Sequence, residues 1–290
     1  MNTVVAVCVL AVCVLSAAVE CRKTRYHAQF VLQLTNQTFQ SILRSPELMF
    51  IVDPDDVQLT RDQNALLRGL GKTVFAYLSV GEAETVRPYW QDSWRVGAPS
   101  FLSRQDEKYA NGIIVEFWRP EWQAAVMHYM SSNILPFGYS GILMDYLGKY
   151  QEFLTVRPTA AEDMINLAAA LANMARISNP AMLIVTQDAL ELYPISEQYR
   201  MMVDGVSAED VYFQDGKVRR SGETKSKVEL LKRAALDKKV VLVEEYVEKN
   251  RSVCEFYKKC AMDGFMCGVF GADLVGVTRD CVMEPSALFA

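Results

Sequence analysis

Six apolar stretches of this sequence stop at acids or amides. They end at Asp53, at Glu82 with Glu84, at Asp145, at Gln187 with Asp188, at Glu209 with Asp210, and at Glu244 with Glu245. One acid in such a place can simply cap the helix that follows. Six in one chain imply a ring of carboxylates, the groups that act as general acid, general base or nucleophile when two of them flank a reacting bond. Aromatic residues lie beside them in the sequence: Tyr77, Tyr89, Trp90, Phe117, Trp118, Tyr146, Tyr150, Tyr212 and Tyr246. Carboxylates among flat rings suit a carbohydrate, whose hydroxyls meet the acids and whose apolar faces stack on the aromatics.

Other chemistries lack their residues. His27 and His128 are the only histidines, too few for a histidine-based zinc site or a Ser-His-Asp triad. No C-x-x-C occurs, which removes a zinc knuckle or a thioredoxin-like site. "GLGKT" at 69–73 mimics the end of a phosphate-binding loop, but Leu66 stands where its first glycine belongs, and the segment precedes a strand where it should follow one. No cofactor is expected. A net charge of -5 argues against nucleic acid as a partner.

The elements that must carry these acids show in the apolar pattern. In "TVFAYLSVGEAETVRPYW" a core-like strand at 73–77 runs into a small-residue turn holding two glutamates, although turns favour Asn, Asp or Gly. Eight apolar runs recur, at 30–34, 48–53, 73–80, 141–146, 182–188, 202–210, 239–246 and 267–273, with amphipathic helical stretches between them. Alternation of this kind in about 270 residues predicts an α/β fold, a (β/α)8 TIM barrel in a single domain with its chemistry at the C-terminal ends of the strands. No G-x-G-x-x-G follows the first strand, which weighs against a doubly wound sheet. Residues 112–122 read as one extra short strand or loop leading into a helix with Pro120 in its first turn.

The first twenty residues have an uncharged apolar stretch closed by Ser16, Ala17 and Ala18, as a secretory signal peptide does, so residues 1–20 are expected to be removed and 21–290 to form the barrel. No later run reaches the roughly 18 apolar residues of a membrane span. The expectation is a secreted, extracellular protein, free of the membrane once the signal is cleaved. Cys254, Cys260, Cys267 and Cys281 fit two disulfides in an oxidising compartment. Cys254 and Cys260 lie on one expected helix with Cα atoms about 9 Å apart, beyond bridging distance. Each is therefore expected to pair with Cys267 or Cys281, in an order left open, stapling the last helix to the eighth strand. Cys21 has no assignable partner. Asn36 and Asn250 head N-x-[ST] sequons, a weak signal in a chain this long.

Four ordered motifs, "AYLSVGEAETVRPYW", "GYSGILMDY", "LIVTQDALEL" and "VDGVSAEDVYF", resemble glycoside hydrolase family 114, the endo-α-1,4-polygalactosaminidase family. The resemblance runs from "FVLQL" to "CGVFGADL" and implies a (β/α)8 fold and hydrolysis of a partly deacetylated, cationic galactosamine polymer. An acidic cleft matches such a substrate. By the family pattern Asp145 is the expected nucleophile and Glu209 the general acid/base. Their spacing is expected to be that of a retaining enzyme, with Glu209 protonated near neutral pH and Asp145 ionised. Substrate contacts are expected from Asp53, Tyr77, Glu82, Trp118, Tyr146, Gln187, Asp188, Asp210, Glu245 and Tyr246. Two positions depart from the pattern: Gly148 stands where relatives carry a second acid, and Asp188 where they read Asn. The alternative is a catalytically inactive, secreted carbohydrate-binding barrel.

Overall fold

The computed structural model describes residues 25–276 and 278–282; the expected signal segment and Cys21 lie outside the described residues. Its centre is one sheet of eight parallel strands, β1 (Val31–Gln33), β2 (Met49–Val52), β3 (Thr73–Ser79), β4 (Gly141–Asp145), β5 (Leu183–Gln187), β6 (Gly205–Glu209), β7 (Val240–Glu245) and β8 (Met266–Val269). Each pairs with its neighbour in this order. Bonds between the two edges nearly close the sheet: Gln29 N–H donates to Cys267 O at 2.9 Å, and Cys267 N–H donates to Gln29 Oε1 at 2.9 Å. All eight predicted strands are present, and the fold is a TIM barrel.

Five longer helices lie between the strands of the described residues, among shorter ones: α1 (Arg61–Gly69), α2 (Pro120–Asn133), α3 (Ala160–Ser178), α4 (Ser221–Leu236) and α5 (Asn250–Asp263). Thr60 and Gln63 form a capping box at the start of α1, and Pro120 occupies the first turn of α2, where a missing N–H costs nothing. On α3 the small buried residues Ala168, Ala172 and Ala175 let its backbone approach the strands while Met164, Leu167 and Leu171 fill the gaps.

Alternation along each strand splits the apolar residues into two cores. One lies between the sheet and the helices. The other fills the barrel with Phe30, Leu32, Ile51, Phe75, Tyr77, Leu143, Val185, Leu242 and Phe270. Two residues beyond these, on the same inward face, stand Asp145 on β4, Gln187 on β5 and Glu244 on β7. Glu209 is level with Glu244 in the β6–β7 pairing. Inward parity therefore aims the strand-end acids at the barrel mouth.

A second sheet takes up the "SVGEAE" segment. Beyond Gly81 the chain leaves the barrel as a short strand, Glu82–Glu84, not as a turn. It pairs antiparallel with Gly112–Val115, which in turn pairs with Leu102–Gln105. A turn reading failed because this strand is too short to announce itself and is held by pairing to a segment thirty residues away. Two disulfides close the C-terminal end, Cys260–Cys267 from α5 to β8 and Cys254–Cys281 from α5 to the short strand Cys281–Val282. The expected pairing partners hold, but only one bridge reaches the eighth strand.

Candidate active site

At the C-terminal mouth of the barrel lies a cavity of about 420 Å³ lined by four carboxylates, Glu84, Asp145, Asp188 and Glu209. Lys108 and Lys149 stand at its edge; Tyr77, Tyr109, Tyr146 and Tyr246 supply rings, and Leu32, Leu34, Leu143 and Leu274 an apolar side. A larger cavity of about 980 Å³ opens among the starts of β3, β4 and β5, at the opposite end, with Arg61, Arg68 and Lys72 in its lining and none of the strand-end acids. Chemistry in a barrel of this kind belongs to the C-terminal end. The smaller cavity is the candidate site.

Asp145 ends β4 and faces inward. Its Oδ1 accepts the N–H of Tyr146 at 2.6 Å, and Tyr146 can offer that N–H because its backbone takes the left-handed conformation, φ 61°. Gly81 makes room for this turn, since a Cβ there would stand 2.1 Å from the Tyr146 carbonyl oxygen. Burial pushes the Asp145 carboxyl well above the usual carboxylate range; the Tyr146 bond opposes that shift, and the charges of Glu209, Asp188 and Glu84 add to it. Burial therefore works against the expected ionised Asp145.

Glu209 ends β6. Its Oε1 lies 3.7 Å from Lys108 Nζ, its backbone carbonyl accepts from Lys227 Nζ at 2.7 Å, and Tyr246 lines the cavity with it. Lys227 Nζ also lies 3.6 Å from Asp188, whose carboxyl is pushed up to about 6, chiefly by burial. Gln187 donates its side-chain N–H to Glu244, which is fully buried beneath the cavity and accepts from Ser207 Oγ at 2.8 Å. Glu84 is pushed up by burial against the pull of Arg87, to which it is bonded, while Tyr77 Oη reaches Glu84 Oε1 at 3.5 Å.

Of the residues expected to meet substrate, Tyr77, Asp145, Tyr146, Gln187, Asp188, Glu209 and Tyr246 line the cavity. Five do not. Asp53 caps the short helix Pro54–Val57 through a 2.9 Å bond from Asp55 N–H and pairs with Arg87 Nη1 at 2.7 Å. Trp118 packs on Phe153, with ring centroids 4.8 Å apart, under the Arg157 guanidinium. Glu82 is fully buried behind the cavity wall, and Asp210 lies past the end of β6 with φ 52°. Glu245 points away from the barrel interior, because it is one residue beyond the inward Glu244; its Oε1 accepts the N–H groups of Tyr212 and Phe213 at 2.7 and 3.1 Å. Sequence reasoning placed Glu84 in the ring of strand-end acids, as its position on the cavity bears out, but assigned no role to Lys108, Tyr109, Lys149, Leu34 and Leu274. Leu34 continues the inward parity of β1 and was legible; Lys108, Tyr109, Lys149 and Leu274 lie outside the barrel strands, without a period to follow.

Among the described residues no group of three or more His, Cys, Asp or Glu is arranged to hold a metal ion, and no helix is long and apolar enough to cross a membrane.

A family model described as glycoside-hydrolase family GH114 matches residues 16–282. An uncharacterized protein of Deinococcus radiodurans is 35% identical over 170 residues, 58% of this chain and 54% of its own length. Another of Thermotoga maritima is 28% identical over 206 residues, 67% of this chain and 64% of its own. The chain thus spans between half and two thirds of the length of these relatives. Among solved structures, the glycoside hydrolase domain of PelA from Pseudomonas aeruginosa superposes with a TM-score of 0.65 at 16% identity, covering 82% of this chain and 92% of that one. At that identity the likeness is one of fold.

Proposed function

Because the chain belongs to glycoside-hydrolase family GH114, we propose that it is a secreted, retaining hydrolase of α-1,4-linked, galactosamine-rich polysaccharide, with Asp145 and Glu209 as its reacting pair. The observation that carries this reading is that both carboxylates line one cavity at the barrel mouth, each within the field of the other. Glu209 donates a proton to the glycosidic oxygen as an Asp145 oxygen bonds to the anomeric carbon, and the leaving chain departs with the electron pair of the broken bond. Glu209, now a carboxylate, then takes a proton from water, which displaces Asp145 and regenerates both groups.

An amino sugar helps at the step where Asp145 must be anionic. Burial raises its carboxyl and so works against the anion. An ammonium group held among Glu84, Asp188 and Asp145 favours the anion, so the charged substrate prepares the nucleophile it meets. Tyr77, Tyr146 and Tyr246 offer faces for the sugar rings.

The test is release of reducing ends from an α-1,4-galactosamine polymer, its fully N-acetylated form and a β-1,4-glucosamine polymer, with proton NMR following the anomer first formed. Cleavage of the amine-bearing α-linked polymer with retained configuration supports the reading. Inverted configuration removes Asp145 as nucleophile. Calorimetric binding of the polymer with no reducing ends released replaces the enzyme with a silent carbohydrate-binding barrel.

A further inference from the structure

Glu82 is a buried carboxylate to which the mechanism gives no part. Its Oε1 lies 2.8 Å from Lys149 Nζ, and the same ammonium lies 2.5 Å from Asp106 Oδ2. Gly112 is shaped to this cluster, since a Cβ there would stand 2.4 Å from Glu82 Oε2. One cation thus joins the Glu82–Glu84 strand to the loop at Asp106.

Each end of the cluster leads to one member of the reacting pair. Toward Asp145, the Lys149 ammonium lies 5.6 Å from the centroid of the Tyr146 ring, and Lys149 N–H donates to Tyr146 O at 3.1 Å. Tyr146 is the left-handed residue whose N–H holds the Asp145 carboxylate. Toward Glu209, Asp106 Oδ1 accepts the N–H groups of Lys108 and Tyr109 at 2.7 and 2.8 Å, which fixes the backbone of the residue whose ammonium lies 3.7 Å from Glu209.

We propose that Lys149, clamped between Glu82 and Asp106, is a positioning residue that sets Asp145 and Glu209 relative to each other through Tyr146 and Lys108. Though it lines the cavity, its ammonium is held by carboxylates, with Glu152 Oε1 as a third and more exposed partner at 3.3 Å, and its side chain is 18% exposed. The proposal rests on the reading of Asp145 and Glu209 as the pair, so its test measures geometry without turnover.

The variant that isolates the clamp is Lys149→Met combined with Glu82→Gln, which removes the ammonium together with the carboxylate that faces it. Hydrogen exchange at the Tyr146 amide and the ¹³C titration of the Asp145 carboxyl, assigned with Asp145→Asn, are compared with wild type by NMR. Loss of the clamp is expected to speed Tyr146 exchange about tenfold or more, with the Val206 amide of β6 unchanged. The Asp145 midpoint should rise as its N–H bond loosens. Lys149→Arg should keep both near wild type. Unchanged Tyr146 exchange and Asp145 titration in the double variant overturn the proposal. Should that variant not fold, Asp106→Asn, which keeps an acceptor for the Lys108 and Tyr109 N–H groups but weakens the link to Lys149, should still speed Tyr146 exchange about threefold; no change overturns the proposal equally. A wild type that cleaves no galactosamine polymer but shows these NMR changes removes the proposed activity and leaves the clamp standing.

Discussion

Gln187 of β5 donates its side-chain N–H to the carboxylate of Glu244 on β7, and Ser207 of β6, between them, donates to the same carboxylate at 2.8 Å. Three strands are thereby tied beneath the cavity by one fully buried acid. Burial pushes Glu244 well above the usual carboxylate range, so glutamine, the neutral isostere, is a close substitute there. Glu244→Gln is expected to cost about 1 kcal/mol or less, whereas Glu244→Ala strands two donors and leaves a void, costing about 3–5 kcal/mol. Urea unfolding of the two variants measures the difference.

Asp145→Asn and Glu209→Gln should each lower kcat on a cleaved polymer by about 10²-fold or more, while polymer binding by calorimetry stays within about threefold, because both swaps conserve volume. A variant that keeps wild-type turnover removes its residue from the pair. Since burial raises the Asp145 carboxyl and the nucleophile must be anionic, the acidic limb of kcat/KM should lie above the ordinary carboxylate range and fall as pH drops through it.

Stability should decline as pH rises from about 5 to 8. Burial is the leading cause that raises Asp188 to about 6, Glu82 to about 7 and Glu245 to about 8. The unfolded chain ionises these groups near 4, so in this window the folded state holds more protons, and each group's contribution is lost as pH passes its folded value. Glu245→Gln keeps an acceptor for the Tyr212 and Phe213 N–H groups and cannot ionise. Its melting temperature should match wild type near pH 4 and exceed it at pH 8. Equal slopes for both proteins would show that Glu245 does not contribute.

The two disulfides should differ in worth. Cys254–Cys281 closes a loop of 27 residues and Cys260–Cys267 one of 7. By loop-closure entropy the first is worth about 3.5 kcal/mol and the second about 2.4 kcal/mol. Paired serine variants of each bridge, unfolded in urea, should show the larger loss for the longer loop. Thiol titration of the unfolded, unreduced protein should detect none of these four cysteines.

Period and parity made the barrel legible. Eight apolar runs with helices between them leave a parallel barrel as the economical way to bury every run on both faces, and Asp145, Gln187 and Glu209 belong to strands whose alternation reads directly from the sequence. The strand-end acids likewise announced an acidic mouth. Which acid faces inward needed the register: Glu244 and Glu245 are adjacent and look alike in the sequence, but only Glu244 falls in the inward line with Leu242, while Glu245 turns out to the loop after β6. Asp53 ends its strand as the others do, yet a helix N-terminus and Arg87 claim it first. Lys108, Tyr109 and Lys149 reach the cavity from segments outside the barrel strands, held by Asp106 and, for Lys149, by Glu82 of the second sheet. Local sequence sets what each residue prefers to bury. Which partner satisfies a buried charge is decided only when distant segments pack, because an unpaired charge costs more there than any local preference can supply.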